Sequence, residues 1–181
     1  MNTQTINVKA QAIVGLPFVR LSQSEFVDYL NLALKQDNST QSLIFADAET
    51  VTYSISDERV RTAMLGADIL IPRGNGVNAR LNLRTNGPVE LANTSQLYRE
   101  LLYSLESKGS RVILFSDNKR DLTKFEMQVS KHFPGLDIQF QLLDVNYDLS
   151  TSSIKSMITS DNAEVALFAA ASPIQEQLVS R

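Results

Sequence analysis

The sequence predicts an α/β protein built on a mostly parallel sheet with helices on both faces. Apolar runs of strand length recur near 42–46, 68–71, 111–115, 137–143 and 164–169, and helical patterns fill the intervals. That alternation is what βα units require, since parallel neighbours are joined by long crossovers. The 181 residues carry no repeat and no interdomain linker, so a single α/β domain over 1–181 is expected, with 1–10 as a loose N-terminal tail.

Composition removes several functions. The chain is 43% apolar and 20% charged with a net charge of −3, which gives nucleic-acid binding no electrostatic help. It has no cysteine, so disulfides and thiolate chemistry are excluded. His132 is the one histidine, so no multi-histidine metal site can form and no metal is expected. No run approaches the ~20 apolar residues of a membrane span, and Met1 to Ala10 lacks the apolar core of a signal peptide. A cytoplasmic protein is expected.

In chain order, residues 1–10 read as a loose tail that could join an edge strand, and Ala12 to Phe18 is a short apolar segment broken by Gly15 and Pro17. Ser22 and Glu25 have capping-box spacing, Leu21 and Phe26 occupy the hydrophobic-staple positions, and a helix follows to about Gln36. Ser42 to Ala46 reads as a buried strand running into Asp47-Ala48-Glu49, after which a short helix fits. Asp57 to Leu65 is amphipathic, with Gly66 as the expected C′ residue. The strand Ile69 to Ile71 stops at Pro72, and a loop with Gly74 and Gly76 leads to helix from Val77 to Leu83, where Arg80 and Arg84 share a face. Thr85 to Pro88 is a break; Thr94 or Ser95 caps the next helix, which Gly109 ends. Asn118 heads a helix to His132, a weaker helix covers Leu149 to Ile158, and Pro173 is placed at N1 of the last helix.

The chemistry concentrates on Arg73-Gly74-Asn75-Gly76, beyond the end of a strand and before a helix, where α/β proteins bind ligands. Gly74 to Ala79 fits G-x-G-x-x-A, but it does not open the first βα unit and no acidic residue closes a strand ~20 residues later, so a tight turn is the plainer reading. Arg73 is a bidentate phosphate donor or an exposed loop residue. Asp47 and Glu49 share a side if the chain stays extended and diverge if a helix starts at once, with Asp47 then a cap. His132 reads as a C-terminal dipole partner, Lys119-Arg120 as solvated surface, and Gln175-Glu176 as first-turn residues of the last helix.

Taken together, these stretches resemble the WecG/TagA/CpsF family of bacterial glycosyltransferases over about residues 13–179. Gly15-Leu16-Pro17-Phe18 is similar to its opening G-x-P-F/V, and Phe45-Ala46-Asp47-Ala48-Glu49 to its T-x-N-A-E. Asp57 to Val77 matches its long segment ending in P-D-G-x-G-V; Glu90 to Leu97, Phe133 to Leu136 and Ala171 to Glu176 resemble its later motifs. The resemblance implies a Rossmann-like glycosyltransferase fold and transfer of an N-acetylhexosamine from a UDP donor to a lipid-linked acceptor. It also implies subunit contacts near the active site.

The departures fall on positions that the family uses. Its catalytic Asp is Arg73 here, its Thr and Asn are Phe45 and Asp47, its Arg is Leu91, and its later Gly, Asp, Gly and Lys/Arg are Thr94, Gln96, Ser116 and Ile174. Pro17, Glu49, Pro72, Gly74, Gly76, Pro173, Gln175 and Glu176 are kept. A guanidinium cannot act as a general base, and losing a positioned base typically costs about 10²–10⁴-fold in rate. The chain also ends where the family's C-terminal segment is expected to follow. The resemblance therefore implies a degenerate homologue in surface polysaccharide or glycolipid synthesis: a non-catalytic binding or partner subunit near the inner face of the membrane. It would pair with an active paralogue or with itself, bind a UDP-sugar at Asp47, Arg73, Gly74, Asn75, Gly76, Gln175 and Glu176, need no cofactor, and reach the membrane only peripherally through a partner. Two alternatives stay open: an active transferase using Asp47 or Glu49 as base, and a module that binds an anionic metabolite through Arg73, Arg80 and the glycine turn.

Overall fold

Seven strands and eight helices form in the computed structural model, which describes residues 10–35, 40–82, 93–144 and 151–179. The chain divides into two compact units, one reaching to Arg99 and the other running from Glu100 to Val179. The strands are shared between two sheets, four-stranded and three-stranded. Every expected strand is present, and all pairings are parallel except the first.

In the first unit, β1 (Ala10–Ile13) and β2 (Leu16–Val19) are an antiparallel hairpin. The segment read from sequence as broken by Gly15 is thus two strands around a tight turn, with Val14 at φ 52° and Gly15 at φ 79°. Two consecutive positive φ values match the twist of a two-residue hairpin loop. Arg61 seals the turn by donating from Nη1 to the Val14 carbonyl at 3.2 Å. The capping box is as expected: Ser22 Oγ accepts from Glu25 N, the Glu25 carboxylate accepts from Ser22 N, and Leu21 and Phe26 are both buried at the start of α1 (Gln23–Ala33). Then come β3 (Leu43–Ala46), α2 (Ala48–Ser56), α3 (Glu58–Gly66), β4 (Ile69–Pro72) and α4 (Gly74–Asn82). The sheet order is β1-β2-β4-β3, which makes β4 an interior strand, buried at all four positions.

Several boundaries differ from expectation. Gly66 is the last residue of α3 rather than a left-handed C′ residue, because the chain turns directly into extended backbone at Ala67 (φ −69°, ψ 139°) on its way to β4. α4 starts at Gly74, three residues early. The cap of α5 (Thr94–Lys108) is Asn93, whose Oδ1 accepts from Ser95 N at 2.9 Å while Gln96 Oε1 accepts from Asn93 N at 3.2 Å. The expected break at 85–88, Arg84, Glu90 and Leu91 lie outside the described residues.

Gly109 (φ 64°) ends α5 as expected. The second unit then holds β5 (Val112–Ser116), α6 (Lys119–His132), β6 (Ile138–Leu142), α7 (Thr151–Ser160), β7 (Val165–Ala169) and α8 (Ile174–Val179) in sheet order β6-β5-β7. Alternation along the strands sends side chains to two faces. On one, Phe140 meets Phe125 of α6 at a ring distance of 6.5 Å. On the other, Ile113 and Phe115 cluster with Ile154 of α7 and Leu178 of α8, and Phe115 stacks on Phe168 at 5.2 Å. Helices therefore cover both faces. The last one begins at Ile174, so Pro173 precedes it.

Val14 is a β-branched residue in left-handed backbone, which costs roughly 1–2 kcal/mol relative to its preferred regions. Val14→Asn, which suits this turn position, is expected to raise the melting temperature by about 2–4 °C. Differential scanning calorimetry measures this directly.

Candidate functional site

The site of the first unit lies at the carboxyl ends of β3 and β4. These strands run parallel with Ala46 opposite Pro72, and Arg73 N donates to the Ala46 carbonyl at 2.8 Å. One residue beyond that pairing, Asp47 and Arg73 stand side by side. The helix does start at once, so Asp47 is the N-cap of α2: its Oδ1 accepts from Thr50 N at 3.0 Å and from Thr50 Oγ1 at 3.1 Å. Its other oxygen accepts from Arg73 Nη2 at 2.5 Å. Glu49 has turned away into the exposed first turn and makes no ion pair with the described residues. The two carboxylates do not converge.

Tyr98 extends the pair into a chain. The Arg73 guanidinium also interacts electrostatically with the neighbouring Tyr98 hydroxyl, and the Tyr98 ring packs on Phe45 with centroids 4.5 Å apart. Phe45 in turn meets Phe26 of α1 edge-on at 6.2 Å. A polar string of Asp47, Arg73 and Tyr98 thus lies against an aromatic floor.

Electrostatics follow from this geometry. Partial burial pushes the Asp47 carboxyl up, but the Thr50 amide, the Arg73 guanidinium and the Thr50 hydroxyl outweigh it and hold the group below its ordinary value. Burial works against the Arg73 charge, and Asp47 more than restores it. Burial raises the Tyr98 hydroxyl while neighbouring Arg73 draws it back down.

The glycine loop does two separate jobs. Gly74 takes φ 77°, which lets the chain leave β4 and enter α4 without strain; a Cβ there would meet nothing within 4 Å. Gly76 is needed for closeness, because its Cβ would come within 3.2 Å of the Ala48 Cβ in the first turn of α2. Asn75 is exposed. One turn into α4, Asn78 Oδ1 is buried without a hydrogen-bond partner among the described residues.

Gln175 and Glu176 belong to the second unit. Glu176 is fully buried, and its Oε1 accepts from Ser172 Oγ at 2.9 Å and Gln175 Nε2 at 2.8 Å. His132 lies in the last turn of α6, as its position in the sequence suggested. Among the described residues no cluster of three or more histidine, aspartate or glutamate side chains could hold a metal, and no helix is long and apolar enough to cross a membrane.

Of the sequence candidates, Asp47, Arg73, Gly74 and Gly76 come together, whereas Glu49 stands apart. Tyr98 and Thr50 were missed. Thr50 had a signal, three residues after a capping Asp; Tyr98 had none, since its partners lie 25 and 53 positions away in the sequence. In comparisons with known proteins, the model of the Glycosyl transferase WecG/TagA/CpsF family matches residues 11–181. No curated protein sequence matches the chain.

The Asp47 and Arg73 side chains keep 29% and 37% of their exposure, which limits the pair to a net coupling of roughly 0.5–1 kcal/mol in a double-mutant cycle. The depressed Asp47 value fixes the sign of the pH dependence: its contribution is full above the unfolded pKa of about 4 and is lost as pH falls through the native value. Urea titrations from pH 2 to 7 are therefore expected to show wild type and Asp47→Asn converging below about pH 4. Arg73→Asp is expected to destabilise by setting two carboxylates together, and Asp47→Asn is expected to relieve it.

Proposed function

The chain belongs to the WecG/TagA/CpsF glycosyltransferase family, and from that premise we propose that it binds a nucleotide-sugar donor without transferring the sugar. It then serves surface-polymer synthesis as a non-catalytic subunit at the inner face of the membrane, paired with an active paralogue or with a second copy of itself. The observation that carries this reading is the Asp47–Arg73 pair. Where the family's pattern has a catalytic carboxylate, this chain has a guanidinium. Where the pattern has an asparagine, it has the carboxylate that neutralises that guanidinium.

The pair also argues against an active transferase. A base must be free to receive a proton and have a pKa near the working pH. Both Asp47 oxygens are engaged, and its pKa is displaced the wrong way. Glu49 is exposed and separate from Arg73. Neutralisation of Arg73 by Asp47 weakens the site for any anion, so what favours a nucleotide sugar over another anionic metabolite is membership of the family.

Calorimetric titration with UDP and UDP-N-acetylhexosamines tests the binding half. Saturable binding is expected, with the donor recovered intact afterwards. Absence of heat up to millimolar donor would discard the nucleotide-sugar reading and leave only a partner role, to be sought by co-purification.

A further inference from the structure

We propose that the outward face of α6 rests on the surface of an anionic phospholipid bilayer, with Arg120, Lys124 and Lys131 against the headgroup phosphates and Met127 entering the boundary between headgroups and acyl chains. This rests on the proposed place at the inner face of the membrane and deepens it, by making the contact the chain's own rather than a partner's.

Two observations converge here. The first is how α6 divides its residues. Val129 is buried, Leu122 and Phe125 are half-buried, and Phe125 meets Phe140 of the sheet, which fixes the inward side. Arg120, Lys124, Met127 and Lys131 follow one another at helical spacings of four, three and four, so they form one row on the opposite side, and all four are exposed. Asp121 and Glu126, the acidic residues of α6, flank that row rather than join it. Lys124 Nζ does reach Asp121 at 3.2 Å, but both side chains keep 61% of their exposure, so the pair is weak and open to competition. The charge is also concentrated. α6 carries four of the eight lysines and arginines between Glu100 and Arg181, a stretch in which acidic residues outnumber them. The second observation is Met127, which stands within the row and is 67% exposed, more than any other large hydrophobic among the described residues.

This combination selects the partner. The net charge of −3 does not draw the chain as a whole to an anionic surface. The row does so locally, because salt confines each field to about 10 Å at 0.1 M. A nucleic-acid backbone would match the cations but give Met127 nothing to bury against. A protein partner would need apolar anchors at the centre of the contact, and Met127 is the only exposed large hydrophobic on α6. A bilayer surface takes both kinds of side chain at once: phosphates meet the cations, and the apolar side chain passes between the headgroups.

The test is co-sedimentation of the full chain with vesicles of phosphatidylcholine alone and of phosphatidylcholine mixed equally with phosphatidylglycerol. Wild type is expected to sediment with the mixed vesicles only, and less as salt rises. A cation near such a surface is worth about fivefold in partitioning, so joint Arg120→Gln, Lys124→Gln and Lys131→Gln is expected to weaken binding on the order of a hundredfold. Lys35→Gln, Lys108→Gln and Lys155→Gln together remove the same charge from exposed positions elsewhere and are expected to leave binding nearly unchanged. Met127→Ser is expected to weaken binding severalfold without altering its salt dependence. No binding of wild type to the mixed vesicles, an equal loss in the two triple variants, or full binding by Met127→Ser overturns the inference. Retention of wild type on heparin without vesicle binding also overturns it, and gives the row to a soluble polyanion. A chain that binds UDP but no vesicle loses this inference alone; one that binds mixed vesicles but neither UDP nor a UDP-sugar loses the donor reading alone.

Discussion

Much of the first unit is arranged around the contact between Asp47 and Arg73. Parallel pairing of β3 with β4 brings the residues after Ala46 and Pro72 side by side. Two charges delivered to the same partly buried place must either compensate each other or be expelled into water. Here they compensate. One Asp47 oxygen starts α2 and the other holds Arg73, while Arg73 reaches Tyr98 in the first turns of α5. The starts of α2 and α4 come close at Gly76, where an added Cβ would meet the Ala48 Cβ at a tight 3.2 Å. Three helices thus take part of their placement from one ion pair and one glycine.

The same contact underlies the proposal that the chain does not transfer sugar. Proton abstraction needs a carboxylate whose charge is costly, so that taking up a proton is favourable. Asp47 is in the opposite condition, with its charge stabilised by an amide, a hydroxyl and a guanidinium. Arg73 brings a fixed positive charge that cannot become a base. The aromatic floor fits the same account, since Phe45 offers no hydroxyl where the family pattern carries a threonine. Its ring instead packs on Tyr98, whose hydroxyl neighbours Arg73. Three of the departures from the family pattern, Phe45, Asp47 and Arg73, are thus gathered in one place, with Tyr98 packed on the Phe45 ring.

The sequence disclosed the strands more readily than their partners. β3 to β7 were legible because each is an apolar run with a definite end, and α1 was legible from its capping box. The β1–β2 hairpin was not, because Val14-Gly15 lacks the Asn-Gly or Asp-Gly signature of such turns. The division into two sheets was not legible either, since apolar runs look alike whichever neighbour they pair with. In the site, Asp47, Arg73 and the glycines stood out by residue type, and the capping role of Asp47 was one of two readings the residues allowed. Their mutual contact depends on strand register across 26 residues, which spacing does not report. Glu176 looked like an ordinary first-turn glutamate, and only packing reveals that it is buried.

The most direct test is a transfer assay with a UDP-N-acetylhexosamine donor and a lipid-linked acceptor, comparing wild type with Arg73→Ala. The account expects no sugar transfer by either protein. Transfer by the wild type that disappears in Arg73→Ala would contradict it, because the guanidinium would then be serving the reaction rather than replacing its base.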